Sequence, residues 1–238
     1  MREPRIALVS PGQPAPDHLR FRAAIRRGLA HRREALDAAY AALAGRADAV
    51  ANVAACLVAT LRAGGKVLVA GNGGSAAEAQ HFAAELVGRF KRERAPYAVL
   101  ALTCDSAILT AVANDYGYAE VFARQVRALG VAGDVLLAFS TSGESENLVR
   151  AAAVAHEGRL RVLAVTGARP NRLARAADLS LRVHAAETDV IQELHMGLTH
   201  LLCDLVESEL AAAGPGQASP GQTGPARKTP EAPEGMVH

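Results

Sequence analysis

Three continuous apolar runs, VLVA at 67–70, VLLAF at 135–139 and VLAV at 162–165, limit what this chain can fold into more than any other feature. None alternates polar with apolar residues, which is the pattern of a strand buried on both faces. Between and around them the apolar residues return at helical spacing. The order reads strand at 66–70, helix from Ser75 to about Phe90, strand at YAVLAL, and helices around 105–112 and 118–129. It continues with strand DVLLAF, helix from about Glu144, strand RVLAVT, a short helix near 171–176, strand LSLRV and a long helix over 187–212. Strands separated by helices build a parallel sheet covered on both sides.

An all-helical preface precedes the first strand, with two helices between about Phe21 and Leu61 broken near AGRAD. Residues 1–18, with four prolines and one short apolar run, are expected to form a flexible extension and resemble neither a signal peptide nor a membrane span. The segment 213–238, rich in Pro, Gly and polar residues, is expected to be a disordered tail, leaving one domain over 19–212. A formal charge of +2 argues for neither a nucleic-acid nor a membrane partner. Cys56, Cys104 and Cys203 are odd in number and contain no CxxC pair, so neither a disulfide framework nor a cysteine zinc site is expected. A cytoplasmic protein is the expectation.

In an open parallel sheet, ligands bind beyond the carboxyl ends of the strands. Two loops there combine glycine and hydroxyl residues and lead into helices: GNGGS at 71–75 and STSGES at 140–145. Free backbone N–H groups, small hydroxyls and the positive end of a helix dipole suit a phosphate. One such loop could be a tight turn and nothing more; two in one sheet favour a ligand. Neither matches a P-loop or the GxGxxG spacing of dinucleotide sites, which disfavours a nucleotide.

His81 and Glu85, four apart on a helix, share a face and could hold one metal ion or one proton-transfer site, although such pairs are commonly solvated neighbours. Gln192 and His200 lie eight apart on the last helix, roughly 80° around it and about 12 Å along it. Spacing alone does not bring those two to one ion.

Together, GNGGSAAEAQHFAAEL, AVANDYGY, GDVLLAFSTSGESENLVRA, VLAVTG and DVIQELHMGLTHLLCDLVE resemble the sugar isomerase (SIS) superfamily and, within it, the phosphoheptose isomerases, from about His31 to Leu210. The resemblance implies a flavodoxin-like five-stranded parallel sheet flanked by helices. It also implies N-terminal helices that pack between subunits, and a homotetramer with shared active sites. The implied reaction interconverts sedoheptulose 7-phosphate and D-glycero-D-manno-heptose 7-phosphate, the first step toward nucleotide-activated heptoses. By the same resemblance, Ser75, Ser140, Thr141, Ser142 and Ser145 bind phosphate beside the Gly73–Gly74 backbone, and Glu85 and His200 are catalytic. His81, Glu85, Gln192 and His200 match a zinc-binding set, one Zn²⁺ per subunit, and Asn72, Arg89, Asn114, Asp115, Asp189 and Gln192 match residues that line the sugar. A carboxylate on Zn²⁺ is a poorer base, so Glu85 carries two roles in tension. Val190 stands where the family commonly has a basic residue, and His156, His184, His195 and His238 receive surface or packing roles.

Two other readings compete. Much of QVRALGVAGDVLLAFST resembles non-enzymatic SIS proteins that bind a bacterial replication initiator, but those generally lack the glutamate and final histidine retained here as Glu85 and His200. A sensor domain of a transcription factor would need a DNA-binding module, and the Ala-rich helical preface shows no clear helix-turn-helix.

Overall fold

The computed structural model describes residues 17–212, so the expected tail at 213–238 and nearly all of the extension at 1–18 lie outside the described residues, as does His238. In chain order the elements are α1 (His18–Ala44), α2 (Ala47–Arg62), β1 (Val67–Gly71), α3 (Gly74–Val87), β2 (Val99–Ala101), α4 (Ser106–Tyr116), α5 (Val121–Leu129), β3 (Val135–Ser140), α6 (Glu146–Glu157), β4 (Arg161–Gly167), α7 (Arg172–Ala176), β5 (Leu179–Val183) and α8 (Thr188–Ala212). A single 3-10 turn at Tyr118–Glu120 links α4 to α5. The five strands pair in parallel in the order β2-β1-β3-β4-β5, the flavodoxin-like arrangement expected from the resemblance.

Successive strand residues point to opposite faces, so each apolar run feeds two cores at once. Val67, Val69, Val135, Leu137, Phe139, Leu163 and Val165 face α2, α3 and α8. Leu68, Ala70, Leu136, Ala138, Val162 and Ala164 face the α5–α7 side. Val190, at the position where the family commonly has a basic residue, is buried in the first core.

Two elements are shorter than the apolar pattern suggests. β2 keeps three residues of YAVLAL, because the Tyr97 N–H donates to Leu86 O at the end of α3 instead of to β1. α3 stops at Val87 instead of about Phe90: the Arg94 guanidinium takes up the carbonyls of Glu85 and Leu86, which the next amides of a longer helix would have used, and that of Gly88 as well. All three cysteines are free thiols. No single described helix is long and apolar enough to cross a membrane.

Candidate active site

The strand order reverses between β1 and β3, and each of these neighbours ends in one of the two glycine- and serine-rich loops. Such a switch point leaves a crevice at the strand ends. Gly73 caps α3 and Ser145 caps α6, and neither helix start receives a side-chain capping bond, so both present amides to a ligand. Ser75 and Ser140 are buried beneath the loops. In the second loop the Gly143 N–H donates to Ser140 Oγ at 3.0 Å and the Glu144 N–H to Ser142 Oγ at 3.2 Å, while Thr141 O accepts from the Gly167 N–H at 3.1 Å.

Two glycines are required by close approach. A Cβ on Gly74 would stand 2.3 Å from Gln192 Nε2, so the first turn of α3 admits the α8 carboxamide only because that position is bare. Gly143 has φ +66°, and its Cβ would meet Asn171 Oδ1 at 2.1 Å. Asn171, itself buried, accepts from the Ala174 N–H at 2.7 Å and so caps α7 while bracing the loop.

Asn72 is locked by a reciprocal amide pair: its Nδ2 donates to Asn147 Oδ1 at 3.0 Å and the Asn147 Nδ2 donates back to Asn72 Oδ1 at 2.9 Å. The Tyr118 hydroxyl also donates to Asn72 Oδ1, at 2.9 Å. Asn147 and Tyr118 thus tie both loops to the end of α4, a function that neither residue type nor spacing announced. Asn114 and Asp115 are exposed on α4, with Asn114 Nδ2 donating to Asp115 Oδ1 at 2.8 Å.

α3 and α8 run side by side in the same direction, as successive contacts show. Gln192 lies at Gly74, His195 faces Glu78, and His200 meets His81 and, one turn on, Glu85. His81 Nε2 is 2.9 Å from His200 Nε2 and 3.2 Å from Glu85 Oε1. One atom from each of these three side chains lies within 4.8 Å of the others. Two imidazole nitrogens and a carboxylate oxygen at this mutual distance fit Zn²⁺, whose protein ligands are those donor types. The expected fourth ligand, Gln192, is not brought to these three: its amide lies against Gly74 at the amino end of α3, in keeping with the wide spacing on α8. The Phe90 ring stacks on His200, with centroids 5.7 Å apart and planes at 17°. Burial, with the Glu85 and Glu207 charges nearby, pushes the Cys203 thiol far up, so it stays protonated next to the site.

The remaining expected residues, Arg89 and Asp189, are exposed. Arg89 approaches Glu93 at 3.7 Å. Asp189, at the start of α8, accepts from Arg32 Nη2 at 2.5 Å; desolvation would raise its carboxyl, but the Val190 amide and Arg32 outweigh it and hold the group below the usual range. His195 is fully buried, with Nδ1 3.5 Å from the buried Glu78 Oε2. The packing role expected for it holds, though its polar partner was not foreseen.

The SIS domain family model matches residues 31–167. A phosphoheptose isomerase of Rhodospirillum rubrum is 51% identical over 166 residues, covering 70% of this chain and 88% of that protein. The phosphoheptose isomerase of Aquifex aeolicus is 49% identical over 161 residues, covering 68% and 84%. Among solved structures, a phosphoheptose isomerase from Neisseria gonorrhoeae superimposes with a TM-score of 0.71 at 41% identity, covering 80% of this chain and 99% of that one. The strand order, the paired loops and the His–Glu–His group occur on a chain 41–51% identical to these proteins over the aligned residues, and the chain belongs to the SIS-domain family and, within it, to the phosphoheptose isomerases.

Proposed function

We propose that the chain interconverts sedoheptulose 7-phosphate and D-glycero-D-manno-heptose 7-phosphate by proton transfer through an enediol. The observation that carries this reading is the convergence of His81, Glu85 and His200 on the same helix pair whose amino-terminal end meets the two serine-rich loops. Ser75, Ser140, Thr141, Ser142 and Ser145 hold the phosphate, with the amides at the starts of α3 and α6. Ser75 and Glu85 are ten residues apart on α3, about 15 Å along its axis. Helical side chains lean toward the amino terminus, so His81 and Glu85 reach back toward the phosphate loop across the length of an open-chain sugar.

Glu85 takes the proton from C1 of the open-chain ketose and returns it to C2. His200, next to it, moves the proton between the two oxygens. Asn72, fixed in one orientation by Asn147 and Tyr118, orients a sugar hydroxyl, and Asp189 and Gln192 line the α8 side of the same path. His81, Glu85 and His200 would hold one Zn²⁺ per subunit, whereas Gln192, the fourth residue of the zinc set that the resemblance implies, lies at Gly74 and is not a ligand in this reading. When bound, that ion stabilises negative charge on the sugar oxygens. Incubation with sedoheptulose 7-phosphate in D₂O, followed by ¹H and ¹³C NMR, is expected to yield the aldose heptose 7-phosphate with solvent deuterium at C2. Absence of conversion with and without added Zn²⁺ would refute the reading.

The working unit is proposed to be a tetramer with active sites completed across subunits. Leu19, Phe21, Ile25 and Leu29 on α1 are 64%, 65%, 59% and 64% exposed, and the buried residues of that helix are Ala39 and Leu43 near its end. An apolar groove of about 360 Å³, lined by Tyr40, Leu43, Val50, Leu201 and Leu205 among others, continues the same side. A helix that leaves so much apolar surface in water is built for a partner. The paired variant Phe21→Glu/Ile25→Glu is expected to shift the assembly to dimers or monomers in sedimentation velocity while leaving the circular dichroism of the domain intact. An unchanged sedimentation coefficient would show that α1 is not in the interface.

A further inference from the structure

One buried carboxylate outside the catalytic group commands an entire segment. Glu207 lies on α8 seven residues beyond His200, two turns along the same face, and its side chain is fully buried. Its Oε1 accepts from the Phe90 N–H at 3.0 Å, and its Oε2 accepts from the Lys91 N–H at 2.8 Å and the Arg92 N–H at 3.0 Å. Arg94 Nε stands 3.3 Å from Oε1. Desolvation alone would raise this carboxyl, but the three amides and Arg94 outweigh it and hold Glu207 below the usual carboxylate range, hence ionised.

Each end of the clamped segment touches a catalytic side chain or its backbone. Phe90 is the residue whose ring stacks on the His200 imidazole. The Arg94 guanidinium, 5% exposed, donates through Nη1 to Leu86 O at 2.8 Å and Gly88 O at 2.9 Å and through Nη2 to Glu85 O at 2.9 Å. A carboxylate used only for stability would not need both of these contacts to end on the acid–base pair.

We propose that Glu207 is a positioning residue for the isomerisation, holding residues 88–95 so that Phe90 seats the His200 ring and Arg94 fixes the carboxyl end of α3 at Glu85, a role that rests on the isomerase reading above. Glu207 touches no substrate. It acts through the loop, and a displacement of about 1 Å in reacting groups costs on the order of a hundredfold in rate.

The test uses the full chain, labelled with [¹³Cε1]histidine, as wild type, Glu207→Gln, Phe90→Leu and the double variant, with His200→Gln to assign the His200 signal. A stacked Phe90 ring shields the His200 Hε1 proton, and both single variants are expected to move that signal downfield. In both, kcat is expected to fall about ten- to hundredfold with KM within about twofold, and the double variant to be no slower than Glu207→Gln alone. A Glu207→Gln protein that melts earlier but keeps the wild-type kcat and His200 signal would overturn the proposal, as would losses that multiply in the double variant. Should Glu207→Gln fail to fold, an unchanged kcat and His200 signal in Phe90→Leu overturns it instead. If wild type converts no sugar phosphate, the isomerase reading falls, and the His200 signal in the variants still decides for or against the clamp.

Discussion

Glu85→Gln is expected to lower kcat for sedoheptulose 7-phosphate by about 10²–10⁴-fold, the range of a lost general base, and to stop exchange of the C1 proton with D₂O. The substitution is nearly isosteric. The Glu85 carbonyl keeps its bond from Arg94 Nη2, and α3 keeps its length, so the fold and the phosphate end of the site persist. Substrate affinity, measured by calorimetry on the variant, is expected to stay within a few-fold of wild type, because the proposed phosphate site lies in the two loops, away from Glu85. A kcat within tenfold of wild type, or continued C1 exchange, would take the base role away from Glu85 and leave His200 as the candidate.

Gly143→Ala is the second large effect. At φ +66° a Cβ is strained, and here it would also meet Asn171 Oδ1 at 2.1 Å, where a buried capping residue cannot withdraw without uncapping α7. The STSGES loop must therefore move. KM is expected to rise about hundredfold, with a stability loss of about 1–3 kcal/mol. Substrate titrations and thermal melts check the two quantities separately. A KM within threefold of wild type would mean that the second loop does not hold the phosphate.

The parallel sheet was readable because both of its faces are covered: VLVA, VLLAF and VLAV could be nothing but interior strands once helices flanked them. The two loops were readable because glycine and serine at strand ends report a backbone requirement directly. Pairings that depend on distant sequence were not readable. His81 and His200 are separated by 119 residues, and only the resemblance joined them. Glu207 and the Phe90 amide are 117 residues apart, and FKRER read alone is an ordinary charged loop. Asn147 and Asn171 gave no signal because an asparagine at the start of a helix is commonplace; their weight comes from burial and from what faces them. β2 was overextended for the opposite reason, since a local apolar run cannot reveal that the end of α3 takes the Tyr97 amide.

The co-directional α3 and α8 have a consequence for substrate choice. With the proposed phosphate anchor at their amino ends and the proposed acid–base group two to three turns further on, the pair would work as a ruler. A five-carbon sugar phosphate is then expected to occupy the anchor as well as a seven-carbon one, with its C1 stopping short of Glu85. Discrimination is then expected to fall on turnover instead of affinity, and shorter metabolites that share the phosphate are expected to be held without being transformed.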